Sequence, residues 1–180
     1  MCIRDSVLTD TGKLFGFGDN KFGQILPLSD NCCDKFLGPV QIPTPESFAY
    51  LRAGWTHALG VSTGGRVYNW GRNNYGQLGR KTGQTCGVPI GTLPDLGASQ
   101  VESGSEHCLA ISEETGELVS WGWNEHGNCG DGTTQNVLTP VLLDLSRNID
   151  DGYASKIVKI KTSSAHNFAL LTLDKHGSHS

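Results

Sequence analysis

The stretch WGRNNYGQLG, Trp70–Gly79, decides the fold because two variants of it occur elsewhere in the chain. Laid over LFGFGDNKFGQIL (Leu14–Leu26) and LVSWGWNEHGNCG (Leu118–Gly130), it aligns Gly18, Gly71 and Gly122 at spacings of 53 and 51 residues. Asn20, Asn73 and Asn124 share one column, and Gly23, Gly76 and Gly127 another. A second marker follows each turn: Pro39-Val40, Pro89-Ile90 and Pro140-Val141. A third, a run opening on His57, His107 or His166, precedes the next turn or closes the series. Three markers recurring in one order define a repeat of about 51 residues.

Within the repeat every segment reads as strand. HCLAIS and ELVSW are short apolar or alternating runs bounded by Gly, Ser, Asp and Thr, with no competing helical period. The stretch before the histidine, the histidine run, the run into Trp-Gly and the Pro-Val marker predict four strands. Proline suits the outermost of them, where a missing N–H costs no ladder bond. STGGR, with Gly64 and Gly65, supplies a tight turn that tolerates positive φ. Four-stranded units repeated around an axis make an all-β propeller.

Composition agrees with such a fold and excludes several functions. The 180 residues are 37% hydrophobic and 18% charged, enough apolar material for a core and too little charge for disorder. The 24 glycines are roughly twice the usual ~7% share and are spread along the chain, as a fold rich in turns requires. A net charge of −4 gives no footprint for direct nucleic-acid binding. No apolar run approaches the ~18 residues of a membrane span, and MCIRDSVLTD lacks the apolar core of a secretory signal. Six cysteines without a CxxC pair point to a reduced, cytoplasmic or nuclear setting.

The core Trp70-Gly71-x-Asn73-x-x-Gly76-Gln77-Leu78-Gly79 resembles the repeat of the regulator of chromosome condensation family. The first repeat departs from it at Phe17, Ile25 and Leu26, the third at Asn128 and Cys129. The resemblance implies a seven-bladed propeller, which at this repeat length needs about 350 residues. Three repeats with flanking strands are therefore expected to form an incomplete arc of three to four blades spanning residues 1–180. In that reading the turns fall near 14–27, 67–80 and 118–131, residues 1–5 are foreign or a misplaced start, and 174–180 form a frayed tail. The third turn, WGWNEHGNCGDGT, resembles two branches of the family. Likeness to secretion-regulating guanine nucleotide exchange factors implies regulation of a small GTPase. Likeness to alpha-tubulin suppressor proteins implies a scaffold for a small zinc protein in diphthamide synthesis and tRNA wobble-uridine modification.

Candidate sites divide by whether they repeat. A catalytic histidine is needed once, so His57, His107 and His166 are expected to be structural, each bonding the backbone of the turn before it. Phe17, Trp70 and Trp121 are expected to pack between neighbouring sheets. Gly18, Gly23, Gly71, Gly76, Gly122 and Gly127 read as turn residues, since no GxxxxGK[ST] or GxGxxG accompanies them. Glu125-His126 followed by Cys129 imitates a reactive trio, but His126 fills the slot of Phe22 and Tyr75, and Cys129 that of Ile25 and Leu78. The adjacent Cys32-Cys33 and the tail pair His176 and His179 have poor metal-ligand spacing. The residues thus imply no catalysis, cofactor or metal. Variable polar slots remain as candidates for partner contacts: Asp19, Arg72 and Trp123 after the Trp-Gly turn, and Lys21, Asn74 and Glu125 two places on. An extra eight residues between Pro140 and His166, around Asp150 and Asp151 within 144–156, form a further candidate binding loop.

Overall fold

A computed structural model of the chain describes residues 4–26, 34–81, 86–145 and 153–175, and every regular element among them is a β-strand. In chain order these are β1 (Arg4–Leu8), β2 (Leu14–Asp19), β3 (Lys35–Ile42), β4 (Phe48–Ala53), β5 (His57–Ser62) and β6 (Arg66–Gly71). They continue as β7 (Cys86–Ser103), β8 (His107–Ser112), β9 (Leu118–Gly122), β10 (Val137–Leu143), β11 (Tyr153–Ser163) and β12 (His166–Lys175). All pairings are antiparallel between consecutive strands. Among the described residues no peptide bond is cis.

The arc contains two four-stranded blades flanked by partial ones. β7 is 18 residues long because it serves two blades: its first half pairs with β6 up to Gly97, and Ala98–Ser103 pair with β8. One full blade is therefore β4, β5, β6 and the first half of β7; the next is the second half of β7 with β8, β9 and β10. β1, β2 and β3 form a three-stranded blade before them, and β11 and β12 a two-stranded one after. The prolines of β3 and β10 lie on edge strands, where the missing N–H breaks no ladder. Arg4 pairs with Gly18 as His57 pairs with Gly71 and His107 with Gly122, so the repeat register already holds in β1.

Burial follows the same plan. β5 and β8, flanked by strands and by neighbouring blades, are buried along almost their whole length, whereas β3 is mostly exposed. The core is a series of layers between blades. Leu14, Ile25 and Ile42 meet Ala58, Tyr68 and Trp70. Leu59, Val61 and Val67 meet Val101, Cys108 and Trp121. Leu109, Ile111 and Leu118 meet Ile157 and Ile160.

Candidate functional site

Each repeat turn is held from inside by its asparagine, which leaves the turn's tip for other uses. Asn20 Oδ1 accepts from Ile25 N at 2.8 Å, Asn73 Oδ1 from Leu78 N at 3.0 Å, and Asn124 Oδ1 from Cys129 N at 2.8 Å. Gln24 and Gln77 close the loop by accepting from Phe22 N and Tyr75 N at 2.7 and 2.8 Å. Asn128, standing where the others have glutamine, instead donates to Trp123 O at 2.6 Å. The strand leaves for the turn through Gly71 (φ 105°) and Gly122 (φ 105°), a backbone state that side chains disfavour. A Cβ on Gly122 would also stand 2.6 Å from the Glu106 carbonyl oxygen.

The repeated aromatic and histidine slots are joints between blades. Trp70 and Trp121 are buried and donate their indole N–H to the carbonyls of Gln24 and Gln77 in the preceding blade, at 2.9 and 3.1 Å. The histidines depart from the expected bond to the preceding turn. They reach forward: His57 Nε2 lies 3.1 Å from Cys108 Sγ and 3.0 Å from Ser103 Oγ, and His107 Nε2 lies 2.8 Å from Asn167 Oδ1. The physical reason is the glycine three residues earlier. A Cβ on Gly54 or Gly104 would collide with the His57 or His107 ring, so each ring lies flat on its own turn and its far nitrogen faces the next blade. The third repeat has Ser163 in that position, and His166 is exposed. Phe17, the counterpart of the two tryptophans, is half-buried.

Two interblade features had no signal in the sequence. Glu106 is buried between blades and accepts from Thr56 Oγ1 at 2.5 Å and Gln77 Nε2 at 2.6 Å, with His57 Nδ1 at 3.8 Å. Its slot holds Thr56 and Ala165 in the other repeats, so nothing periodic announces it. Arg52, Glu102 and Lys161 sit five residues before the three histidines, on the first strands of successive blades. Glu102 bonds Arg52 Nε at 2.9 Å and Lys161 Nζ at 2.7 Å, forming a ladder of alternating charge. Burial would raise the Glu102 carboxyl, but Lys161, Arg52 and Gln100 outweigh it and hold it below its ordinary range.

The apparent Glu125-His126-Cys129 trio has no chemistry of a nucleophilic site. Burial, with Asp131 adding to it, pushes the Cys129 thiol up to about 12, and burial also raises Cys108. A thiol so raised stays protonated and unreactive at neutral pH. His126 is exposed and lies edge-on to Trp123 with ring centroids 5.1 Å apart. Expected as a packing residue of the turn, it packs on the Trp123 ring at the exposed tip, whereas Cys129 is buried. No group of three His, Cys, Asp or Glu able to hold a metal occurs among the described residues.

At the tips, the variable slots form a cationic and aromatic rim. The Arg72 guanidinium lies 5.0 Å from the Phe22 ring of the preceding turn and 5.1 Å from the Tyr75 ring of its own. Lys21 Nζ stands 5.9 Å over the same Phe22. Trp123 and His126 continue the series on the third turn. Asn74 and Glu125 are exposed at their tips, while Asp19 Oδ1 accepts from Lys21 N at 2.9 Å within its own turn. Asp150 and Asp151, with Cys32, Cys33, His176 and His179, lie outside the described residues.

The regulator of chromosome condensation (RCC1) repeat matches residues 64–111 and 115–170, with a second form of the same repeat over 98–128. A secretion-regulating guanine nucleotide exchange factor of Mus musculus is 33% identical across 94% of this chain, which covers 39% of that protein. The ultraviolet-B receptor UVR8 of Arabidopsis thaliana is 29% identical across 92% of the chain and 36% of its own length. Among solved structures, Prp20p of Saccharomyces cerevisiae superposes with a TM-score of 0.75 at 22% identity, over 97% of this chain and 42% of that one. Human WBSCR16 gives 0.76 at 20% identity, over 94% and 42%. The chain thus spans about two fifths of the length of these relatives, and these likenesses show the β-propeller fold. With its repeats matched over more than half its length, the chain belongs to the regulator of chromosome condensation repeat family.

Proposed function

We propose that this chain is part of a protein-binding propeller that regulates a small GTPase, acting as a guanine nucleotide exchange factor through the rim of its repeat turns. The observation that carries this reading is the division of labour among the turns. The buried side chains Asn20, Asn73 and Asn124 brace their loops and Trp70 and Trp121 join blades, while Lys21, Arg72, Asn74, Trp123 and Glu125 stand at the tips. Arginine and tryptophan held in place by neighbouring rings are the residue types that dominate interface energetics, because little rotamer freedom is lost on binding. The likeness to a mouse secretion-regulating guanine nucleotide exchange factor, and to Prp20p, which binds Gsp1p and histones, supports a protein partner and nucleotide exchange. The net charge of −4 favours a protein partner over DNA.

Exchange needs no covalent chemistry from the propeller. A surface that binds the nucleotide-free GTPase more tightly than the loaded one shifts the population toward release, by no more than that difference in affinity. The cytoplasm and nucleus are the compartments this reading assigns. Release of a fluorescent GDP analogue from a panel of small GTPases tests it. Acceleration is expected, with Arg72→Ala and Trp123→Ala each weakening GTPase binding at least about tenfold. No acceleration with any GTPase, together with co-purification of a small zinc protein, would replace exchange by the scaffold role.

A further inference from the structure

Arg72 is held by rings and not by an anion. Its backbone is fixed where Arg72 N donates to Thr56 O at 2.8 Å. The guanidinium carbon lies 5.0 Å from the Phe22 ring, on the turn between β2 and β3, and 5.1 Å from the Tyr75 ring of its own turn between β6 and β7. Both rings are anchored, since Phe22 N and Tyr75 N donate to the Gln24 and Gln77 side chains. Such contacts attract a cation to the ring and consume none of its N–H donors.

Those donors are unspent. Arg52 bonds Glu102, Arg66 bonds Glu46, and Arg80 donates to the Asn69 side chain. The Arg72 side chain, by contrast, makes no hydrogen bond or ion pair among the described residues, and its Nε is buried without a partner. A second cation, Lys21 Nζ, stands 5.9 Å over the same Phe22 ring. Two positive charges gathered on one ring repel each other, and an anion placed between them would turn that repulsion into attraction.

We propose that Arg72 and Lys21 form a carboxylate-reading site that receives an acidic segment of the protein partner. The inference rests on the rim being the partner surface, and it names the chemistry the partner brings. A guanidinium presents its N–H groups in one plane, so a carboxylate accepts two of them at once. The rings have already fixed the arginine, so little further ordering opposes binding. Phosphate shares part of this chemistry, but the half-buried Phe22 and Tyr75 add apolar surface that suits the methylenes of a Glu side chain. The matching slots of the other turns hold Asp19 and Trp123, so the site belongs to this junction alone among the three.

NMR of the full chain reads the site directly, through the Arg72 Nε–H signal, which is assigned by its loss in Arg72→Lys. The probe is a blocked hexapeptide of glutamate, with blocked hexalysine and sodium phosphate at matched ionic strength as the other arms. The glutamate peptide alone should move the signal saturably. Followed at the Asn74 amide, affinity should fall at least about tenfold in Arg72→Lys, which keeps the charge and loses the planar fork. Lys21→Ala, at an exposed position, should weaken it about threefold. No saturable shift, an equal shift with phosphate or hexalysine, or unchanged affinity in either variant overturns the proposal. GTPases take no part in this titration. Peptide binding without accelerated GDP release would remove the exchange reading alone, and accelerated release without a peptide shift would remove this one alone.

Discussion

Trp121 shows how one side chain ties blades together: its ring fills the layer between them and its N–H satisfies the Gln77 carbonyl. Trp121→Phe keeps most of the apolar contact but removes the N–H donor to the buried Gln77 carbonyl, leaving it the weak Cys108 thiol at 3.5 Å, which costs about 1 kcal/mol. The lowered urea midpoint would measure it, and Trp70→Phe should match it through Gln24. At this scale legibility followed repetition. Trp70, Trp121 and the turn glycines recur in register, so the sequence alone separated them from catalytic candidates. The direction of the histidine bonds was hidden because it depends on a ring lying over Gly54 or Gly104, a steric relation with a residue outside the motif core. Glu106 was hidden because it occurs once, and a single buried carboxylate has no period.

Strands bring the charged slots together in a way no linear pattern shows. Arg52, Glu102 and Lys161 lie on β4, β7 and β11, and only the side-by-side placement of these strands makes them a ladder. Two groups on neighbouring elements contribute to the pH response, with Glu46 and Asp131, whose carboxyls are also held below their ordinary range, adding to the acid limb. Burial, opposed by the bond to Asn167, lowers the pKa of His107 below its ordinary 6.5. A group with a depressed folded pKa contributes stability above its unfolded pKa and loses it as pH falls toward the folded value. Stability should therefore hold above about pH 6.5, decline below it as the unfolded chain takes up a proton that folded His107 refuses, and decline again in the carboxylate range as Glu102 is protonated. Thermal melts across this range would show both limbs, and His107→Gln should shrink the first without moving the second. β7 also marks what segment reading missed. Two predicted strands, one ending a blade and one opening the next, are a single 18-residue strand, because the connection between blades stays extended.

Over the whole molecule, a propeller is a set of equivalent units, and equivalent slots do equivalent work only where both neighbours are present. That logic made the all-β blade architecture and the family legible from three markers, and the matched repeats and superposed propellers agree with it. The rim was legible only as a set of variable slots. Its cation–aromatic contacts arise between turns of different blades, which no single repeat encodes. Joints and rim are separate sets of residues, and the three histidines test that separation most directly. Equilibrium unfolding of His57→Ala, His107→Ala and His166→Ala should show the first two destabilised by more than about 1 kcal/mol. His166→Ala should stay within about 0.5 kcal/mol of the wild type, as an exposed substitution does. Equal losses at all three positions, or none at His57 and His107, would contradict the account.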